Sequence, residues 1–314
     1  MVSAASSLPA TVVTTAAIEK RLGLEQDWIR RRTGIDRRHR AQPDENLTMF
    51  AADAANGALI RAGVAPGDVD LVVVATMTPD LLTPHPASQV AGKLGTTQAG
   101  AIDIGGACSA FLVALTMTAG YIEAGRAETA VVVGADLMSR VLDHDDRVTA
   151  GIFGDGAGAV VVRAVPAPSR VGPTALGADG GDGDAILTPW PAGPVTMDGQ
   201  RTFRRAIESL SACSVEAVGR AGLTLEEIDL FVPHQANGRI TRAVGDELGL
   251  PTDRVVDCID QYGNTTAGTL PIALAHAASQ GRLEAGANVL LAAFGAGLAW
   301  GASTLRWGAS DPEL

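Results

Sequence analysis

Cys108 is the side chain whose type and setting most clearly point to chemistry. It stands in Gly105-Gly106-Ala107-Cys108-Ser109-Ala110-Phe111, after the run Ala101-Ile102-Asp103-Ile104 and before a long apolar helical pattern. That context places a thiol in the first turn of a helix. Unsatisfied backbone N–H groups there favour negative charge and are expected to lower a thiol's pKa. Taken alone, Cys108 reads equally well as a small buried hydrophobe, since free cysteine is among the most buried residue types. Two further side chains stand at junctions, one of them after an apolar run. His234 sits in Val232-Pro233-His234-Gln235-Ala236-Asn237, and Asn264 in Tyr262-Gly263-Asn264-Thr265-Thr266. A thiol within reach of an imidazole is a minimal set for nucleophilic catalysis, and a carboxamide always offers an N–H donor. Against this, a lone histidine after a strand more often fills a partly buried slot, and asparagine beside glycine suits a turn.

The elements that must position these groups are written twice. Arg61-Ala62-Gly63 through Asp70-Leu71-Val72-Val73 is matched by Arg220-Ala221-Gly222 through Asp229-Leu230-Phe231-Val232. Ile102-Asp103 and Ile259-Asp260 each precede a glycine-containing junction and an Ala/Leu-rich helix. Glu123-Ala124-Gly125 and Glu284-Ala285-Gly286 each precede a buried strand, Ala130–Gly134 and Asn288–Ala293. A duplicated unit of alternating strands and helices predicts two mixed, mostly parallel sheets with helices on their faces, an α/β fold. The Pro166-Ala167-Pro168 link divides the chain into an N-terminal half, 1–165, carrying Cys108, and a C-terminal half, 166–314, carrying His234 and Asn264. Ligands of α/β sheets lie beyond the carboxyl ends of strands. Cys108 and His234 follow strand ends and Asn264 occupies nearly the equivalent junction of the second half, so packing about a pseudo-twofold axis would bring all three to one cleft.

Composition narrows the partners. Net charge is −11, so a phosphate backbone would be repelled and general nucleic-acid binding is not expected. Three cysteines in a chain of this length make no disulfide framework, which fits a reducing, cytoplasmic setting. Neither a secretory signal nor a membrane span is apparent, the apolar run from Ala287 to Ala299 being too short. Metal-ligand spacings such as CxxC or HExxH are absent. His39, His85, His144, His276, Cys213 and Cys258 read as structural. Gly154-Asp155-Gly156-Ala157-Gly158 loosely resembles a nucleotide-binding loop, but a strand pattern follows it rather than a helix, so close packing is the better reading.

Six segments, in this order, resemble the thiolase superfamily, and within it the β-ketoacyl-acyl-carrier-protein synthase III family. They are Asp27-Trp28-Ile29 with Arg32-Thr33-Gly34-Ile35, Gly106–Phe111, Phe153–Ala159, Val232–Asn237, Tyr262–Ala267 and Ala293–Gly297. The resemblance spans almost the whole chain. It implies a duplicated five-layer αβαβα fold, a homodimer, and a catalytic set of Cys108, His234 and Asn264. It further implies that Cys108 captures an acyl group from coenzyme A, with the backbone N–H groups of Cys108 and Gly297 as oxyanion hole. His234 and Asn264 would then hydrogen-bond the enolate left when a malonyl thioester loses CO2. Asparagine at 264 favours condensation over plain acyl transfer to a carrier or hydroxyl, which is the alternative reading. A Cys–His hydrolase and a non-catalytic partner chain are more distant ones.

The same resemblance implies Trp28 and Arg147 around the adenine of coenzyme A, Arg32 near its phosphates, Gly199 and Asn237 along the pantetheine channel, and Phe203 near its inner end. No cofactor is implied, coenzyme A thioester being a substrate. Arg201, Arg204, Arg205, Arg239 and Arg242 form a basic cluster in an acidic protein, suited to an acidic acyl carrier protein, and the resemblance singles out Arg239. Thr83 occupies a position where short-chain members carry a bulky aromatic that bounds the partner subunit's acyl pocket. The smaller residue predicts a roomier primer pocket, in fatty-acid or polyketide initiation alike.

Overall fold

The computed structural model describes residues 1–96, 98–189 and 193–308. Its first sheet contains β1 (Ser3–Ser7), β2 (Leu71–Ala75), β3 (Gly100–Ile104), β4 (Thr129–Leu137) and β5 (Asp155–Arg163), in the order β1-β5-β4-β2-β3. Its second contains β6 (Val171–Ala178), β7 (Leu230–Pro233), β8 (Asn288–Gly295) and β9 (Ala299–Arg306), in the order β6-β9-β8-β7. An isolated parallel bridge from Phe231 to Val255 stands where β3 stands in the first sheet. The two sheets therefore share one strand order, and the duplication extends to single hydrogen bonds. The Asp70 N–H donates to the Thr129 carbonyl and the Asp229 N–H to the Asn288 carbonyl. In return the Asp70 carboxylate accepts from the Thr129 N–H, and the Asp229 carboxylate from the Asn288 N–H.

Parallel pairing is narrower than the alternating pattern predicts. It joins β2 to β3 and β4, and β7 to β8; the other pairs are antiparallel. The reason lies in the connections. No helical crossover lies between β4 and β5 or between β8 and β9, and a parallel neighbour needs one.

Between the sheets lie α4 (Ala110–Glu123) and α7 (Thr269–Ser279). Both are apolar around nearly their whole circumference, as a helix buried on all sides must be. Phe111, Leu112 and Leu115 of α4 share one core with Leu270, Ala273 and Leu274 of α7. That core also includes inward-facing residues of β2 and β4 and of β7 and β8. The outer face of the first sheet is covered by α2 (Leu47–Ala62) and α3 (Pro86–Leu94). The outer face of the second is covered by α5 (Gly199–Arg220) and α6 (Gly238–Glu247). Five layers result, helix, sheet, helix, sheet, helix, and the short helix α1 (Trp28–Thr33) lies beside the site described next.

The glycine run at 154–158 does the close packing its sequence suggested. A Cβ at Gly154 would stand 2.3 Å from the Tyr262 carbonyl oxygen, and one at Gly158 2.6 Å from the Ile272 backbone nitrogen. These glycines let the Tyr262 backbone rest on the residue before β5 and the start of α7 rest on β5 itself.

Candidate active site

Cys108 occupies the second position of a 3₁₀ turn, Ala107–Ser109, that runs straight into α4. Gly106 at φ 134° and Ala107 at φ 49° bend the chain from the end of β3 into that turn. Left-handed backbone is costly for alanine, so the surrounding packing must hold this corner. The thiol is half-buried, and its environment opposes ionisation. Burial, with the Asp136 charge adding, pushes its pKa up to about 12, against hydrogen bonds from its own backbone N–H and from the Asn264 side chain. The helix start is where the sequence placed it, but loss of water outweighs the favourable N–H groups, and the expected lowering does not occur.

His234 follows β7 directly. Its backbone N–H donates to the Ala292 carbonyl at 2.8 Å, tying the strand end to β8. Gln235 fixes the turn, donating to the Pro233 and Val256 carbonyls and accepting from the Cys258 N–H. The imidazole is 3% exposed, and Nδ1 has no hydrogen-bond partner among the described residues. Burial lowers its pKa to about 3, so it is neutral and carries one N–H. Asn264 bridges to Phe153 through two backbone bonds, its N–H donating to Ile152 and its carbonyl accepting from Gly154. Its Oδ1 accepts the Thr266 N–H at 2.8 Å. That bond fixes which way the amide points and leaves Nδ2, the donor, for the cysteine sulfur.

These three residues line one cavity of about 270 Å³. Trp28, Arg32, Arg147, Gly199, Phe203 and Asn237 line the same cavity. Its walls run from the buried His234 and Asn264 to the exposed Arg32, Arg147 and Gly199. The buried Glu19 carboxylate accepts the Asp27 and Ile29 N–H groups and so caps α1, which carries Trp28 and Arg32. The Arg32 guanidinium lies 4.1 Å from the Trp28 ring centre and donates to the Trp28 carbonyl. One face of the indole is thus covered by a cation.

Three sequence-predicted residues do not line the cavity. Gly297 is exposed in the β8–β9 turn at φ 142°, and the wall there is made by Gly295 and Ala296. Thr83 is exposed beside Leu81 and Leu82. Arg239 is exposed, with its guanidinium 5.5 Å from the Phe203 ring centre. The basic cluster around Arg239 is less uniform than its sequence implies. Arg201 is held by Asp182 and by Asp184 at 2.9 Å, and Arg205 by Asp179 at 2.7 Å and Asp182 at 2.9 Å. Arg242 faces Asp257 at 3.9 Å.

Sequence reading passed over Met77, Met138 and Val195, which with Phe153 and Phe294 supply much of the apolar wall. It also passed over Asp136, a fully buried carboxylate in β4. The signal was present in that case, since one charge interrupts the apolar run Ala130-Val131-Val132-Val133-Gly134-Ala135.

Comparison with known proteins matches this architecture. Residues 102–180 fit the profile described as 3-oxoacyl-[acyl-carrier-protein (ACP)] synthase III, and residues 218–307 the profile of its C-terminal part. Beta-ketoacyl-[acyl-carrier-protein] synthase III 3 of Streptomyces coelicolor is 42% identical, over 98% of this chain and 96% of its own. The crystal structure of 3-oxoacyl-[acyl-carrier-protein] synthase III from Aquifex aeolicus VF5 superposes with a TM-score of 0.94 at 37% identity, covering 97% of this chain and 98% of that one. The priming beta-ketosynthase from the R1128 polyketide biosynthetic pathway superposes with a TM-score of 0.93 at 35% identity, covering 98% and 95%. Identity at this level, carried through both halves from end to end, makes the chain a member of the β-ketoacyl-[acyl-carrier-protein] synthase III family.

Proposed function

We propose that this protein condenses an acyl-CoA primer with a malonyl thioester on acyl carrier protein, losing CO2, to start fatty-acid or polyketide chains. The observation that carries this reading is the meeting of Cys108, His234 and Asn264 in one apolar cavity that extends to Trp28, Arg32 and Arg147. In the first half-reaction the Cys108 sulfur attacks the thioester carbonyl. A Cys108–acyl bond forms, the bond to coenzyme A breaks, and the thiol proton leaves on the departing CoA sulfur. We read the Cys108 N–H as one donor to the transient oxyanion, with the second supplied from the Gly295–Ala296 wall of the cavity rather than from Gly297, which lies outside it.

In the second half-reaction CO2 departs from the malonyl group and leaves an enolate. Neutral His234 and Asn264 Nδ2 each offer an N–H to its oxygen, and such a preorganised donor contributes roughly 3–4 kcal/mol. The enolate carbon attacks the acyl carbonyl, and the Cys108 thiolate leaves and takes up a proton from solvent, the one proton the overall reaction consumes. A neutral imidazole suits this step, because it donates an N–H to the enolate oxygen without pairing with, and so stabilising, the malonyl carboxylate that must be lost.

Further features support the wider reading. The edge strand β3 is largely exposed and carries Ile102 at 42% exposure, with Leu81 and Leu82 also open to solvent. An unpaired edge with an apolar face fits a homodimer, in which we place Thr83 against the partner subunit's pocket. Arg239, with no carboxylate partner among the described ion pairs, is the proposed contact for an acidic carrier protein. We read 1–165 and 166–314 as the two copies of the duplicated unit, on the strength of their shared strand order. A cytoplasmic location fits three unpaired cysteines, and no described helix is long and apolar enough to cross a membrane. Release of labelled CO2 from malonyl-carrier protein, with a β-ketoacyl product, tests the condensation. Acyl transfer without CO2 release would replace it with the acyltransferase reading.

A further inference from the structure

Asp136 is the most heavily hydrogen-bonded side chain near the cavity, and no step above uses it. It is fully buried in β4. Its Oδ1 accepts from the Thr76 hydroxyl at 3.0 Å, the Met77 N–H at 2.9 Å, and the Thr78 N–H and hydroxyl at 3.1 and 2.9 Å. Its Oδ2 accepts from the Thr266 hydroxyl and from the Ala267 N–H at 3.0 Å. One oxygen therefore gathers the loop after β2, in the first half, and the other gathers the loop after Asn264, in the second.

The second set leads to the amide. Thr266 has φ 48°, a genuine strain for a β-branched residue. Its own N–H, in that conformation, is the group that holds Asn264 Oδ1. We propose that Asp136 is a positioning residue for the condensation step: by anchoring Thr266 and Ala267 it fixes the Asn264 amide with Nδ2 turned toward Cys108. The duplication explains why one such carboxylate exists and not two. The spacing that relates Asp70 to Asp229 also relates Ala107 to Thr266, Cys108 to Ala267, and Asp136 to Gly295. Both junctions show the same left-handed corner, Ala107 and Thr266. In the second copy the N–H after the corner, at Ala267, is capped by Asp136. In the first copy the counterpart of that cap is Gly295, where even a Cβ would stand 2.9 Å from the Cys108 nitrogen. The cap is absent on the side where the Cys108 N–H must stay open, and present on the side where a rigid amide is needed.

The proposal rests on Asn264 acting in condensation, so the experiment measures both half-reactions. Acyl-Cys108 formation is followed by intact mass after mixing with acyl-CoA, and condensation by β-ketoacyl product from malonyl-carrier protein. Asp136→Asn should lower condensation kcat by about 100-fold, the scale expected when a reacting group is misplaced by an ångström. Acylation should change by no more than a few-fold, and KM for the malonyl carrier should hold. In an Asn264→Ala background the same substitution should add almost nothing, because its path runs through the missing amide. Equal losses in both backgrounds, or an equal fall in acylation, overturn the proposal. Should Asp136→Asn fail to fold, Thr266 carries the test: Thr266→Ser should retain condensation and Thr266→Val lose it, and equal activity of the two overturns the proposal. If Asn264→Ala alone leaves condensation intact, the functional reading fails instead, and the two failures are distinct.

Discussion

At the scale of single residues, the resting site is a neutral pair. Cys108 is held protonated by burial, with a pKa of about 12, and His234 is held unprotonated, at about 3. Alkylation of the free enzyme by iodoacetamide should therefore be slow at pH 7 and rise about tenfold per pH unit from 7 to 10, read by peptide mass at Cys108. A rate already level by pH 8 would show a pre-formed thiolate. The same shifts shape stability. From its ordinary 6.5 down to about 3, His234 takes a proton in the unfolded chain and not in the folded one. Acidification through that window must drain stability, and melting temperature should fall steadily below pH 6.5. From 9.0 up to about 12 the unfolded Cys108 loses its proton first, so stability should also decline above pH 9. Cys108 and His234 were legible as residue types after strands, and Asn264 as the counterpart of the Cys108 junction, although a short helix, Ile259–Tyr262, and not a strand precedes it. The sign of the thiol's shift was not, because it depends on how much water the finished pocket excludes, and local sequence does not carry that.

At the scale of elements, the site depends on backbone meeting backbone across the two halves. A Cβ at Gly134 would lie 2.1 Å from the Ala267 carbonyl oxygen, with the Phe111 ring at 3.2 Å. Gly134→Ala should push the Thr266 loop off β4, cost about 1–3 kcal/mol of stability as an overpacked core does, and impair condensation more than acylation. Unchanged melting and condensation would mean that this contact does not set the loop. The basic face of α5 and α6 makes a second element-scale prediction. Arg201 and Arg205 are engaged by the Asp179–Asp184 segment, whereas Arg239 borders Phe203 at the cavity. Arg239→Glu should raise KM for the carrier-bound substrate about tenfold while leaving KM for a pantetheine mimic unchanged, and Arg201→Ala should leave both values unchanged. Sequence showed the arginines as one cluster. The partners of Arg201 and Arg205 sit in a separate aspartate-rich turn, brought alongside only by folding, so the cluster's division was not visible.

At the scale of the whole molecule, duplication was the most readable feature, since it repeats in order and spacing and needs no tertiary knowledge. The five layers came with the family resemblance, and the structure supplies their physical reason, since both central helices are apolar around nearly their whole circumference and lie between the two sheets. The balance of parallel and antiparallel strands was less readable, for it turns on two strand connections that lack helices. The exposed edge β3 carries the prediction that belongs here. Sedimentation should show a dimer, and Ile102→Lys should shift it towards monomer with loss of activity; a monomeric, active wild type would contradict the proposed assembly. The central claim is that one sulfur both captures the primer and yields it to a carbon nucleophile. A single-turnover mass experiment reads this directly. Acyl-CoA should add one acyl mass to the peptide containing Cys108, and malonyl-carrier protein should then clear it as β-ketoacyl-carrier appears. An acyl group on any other residue, or an acyl-Cys108 that malonyl-carrier protein leaves in place, would contradict the account.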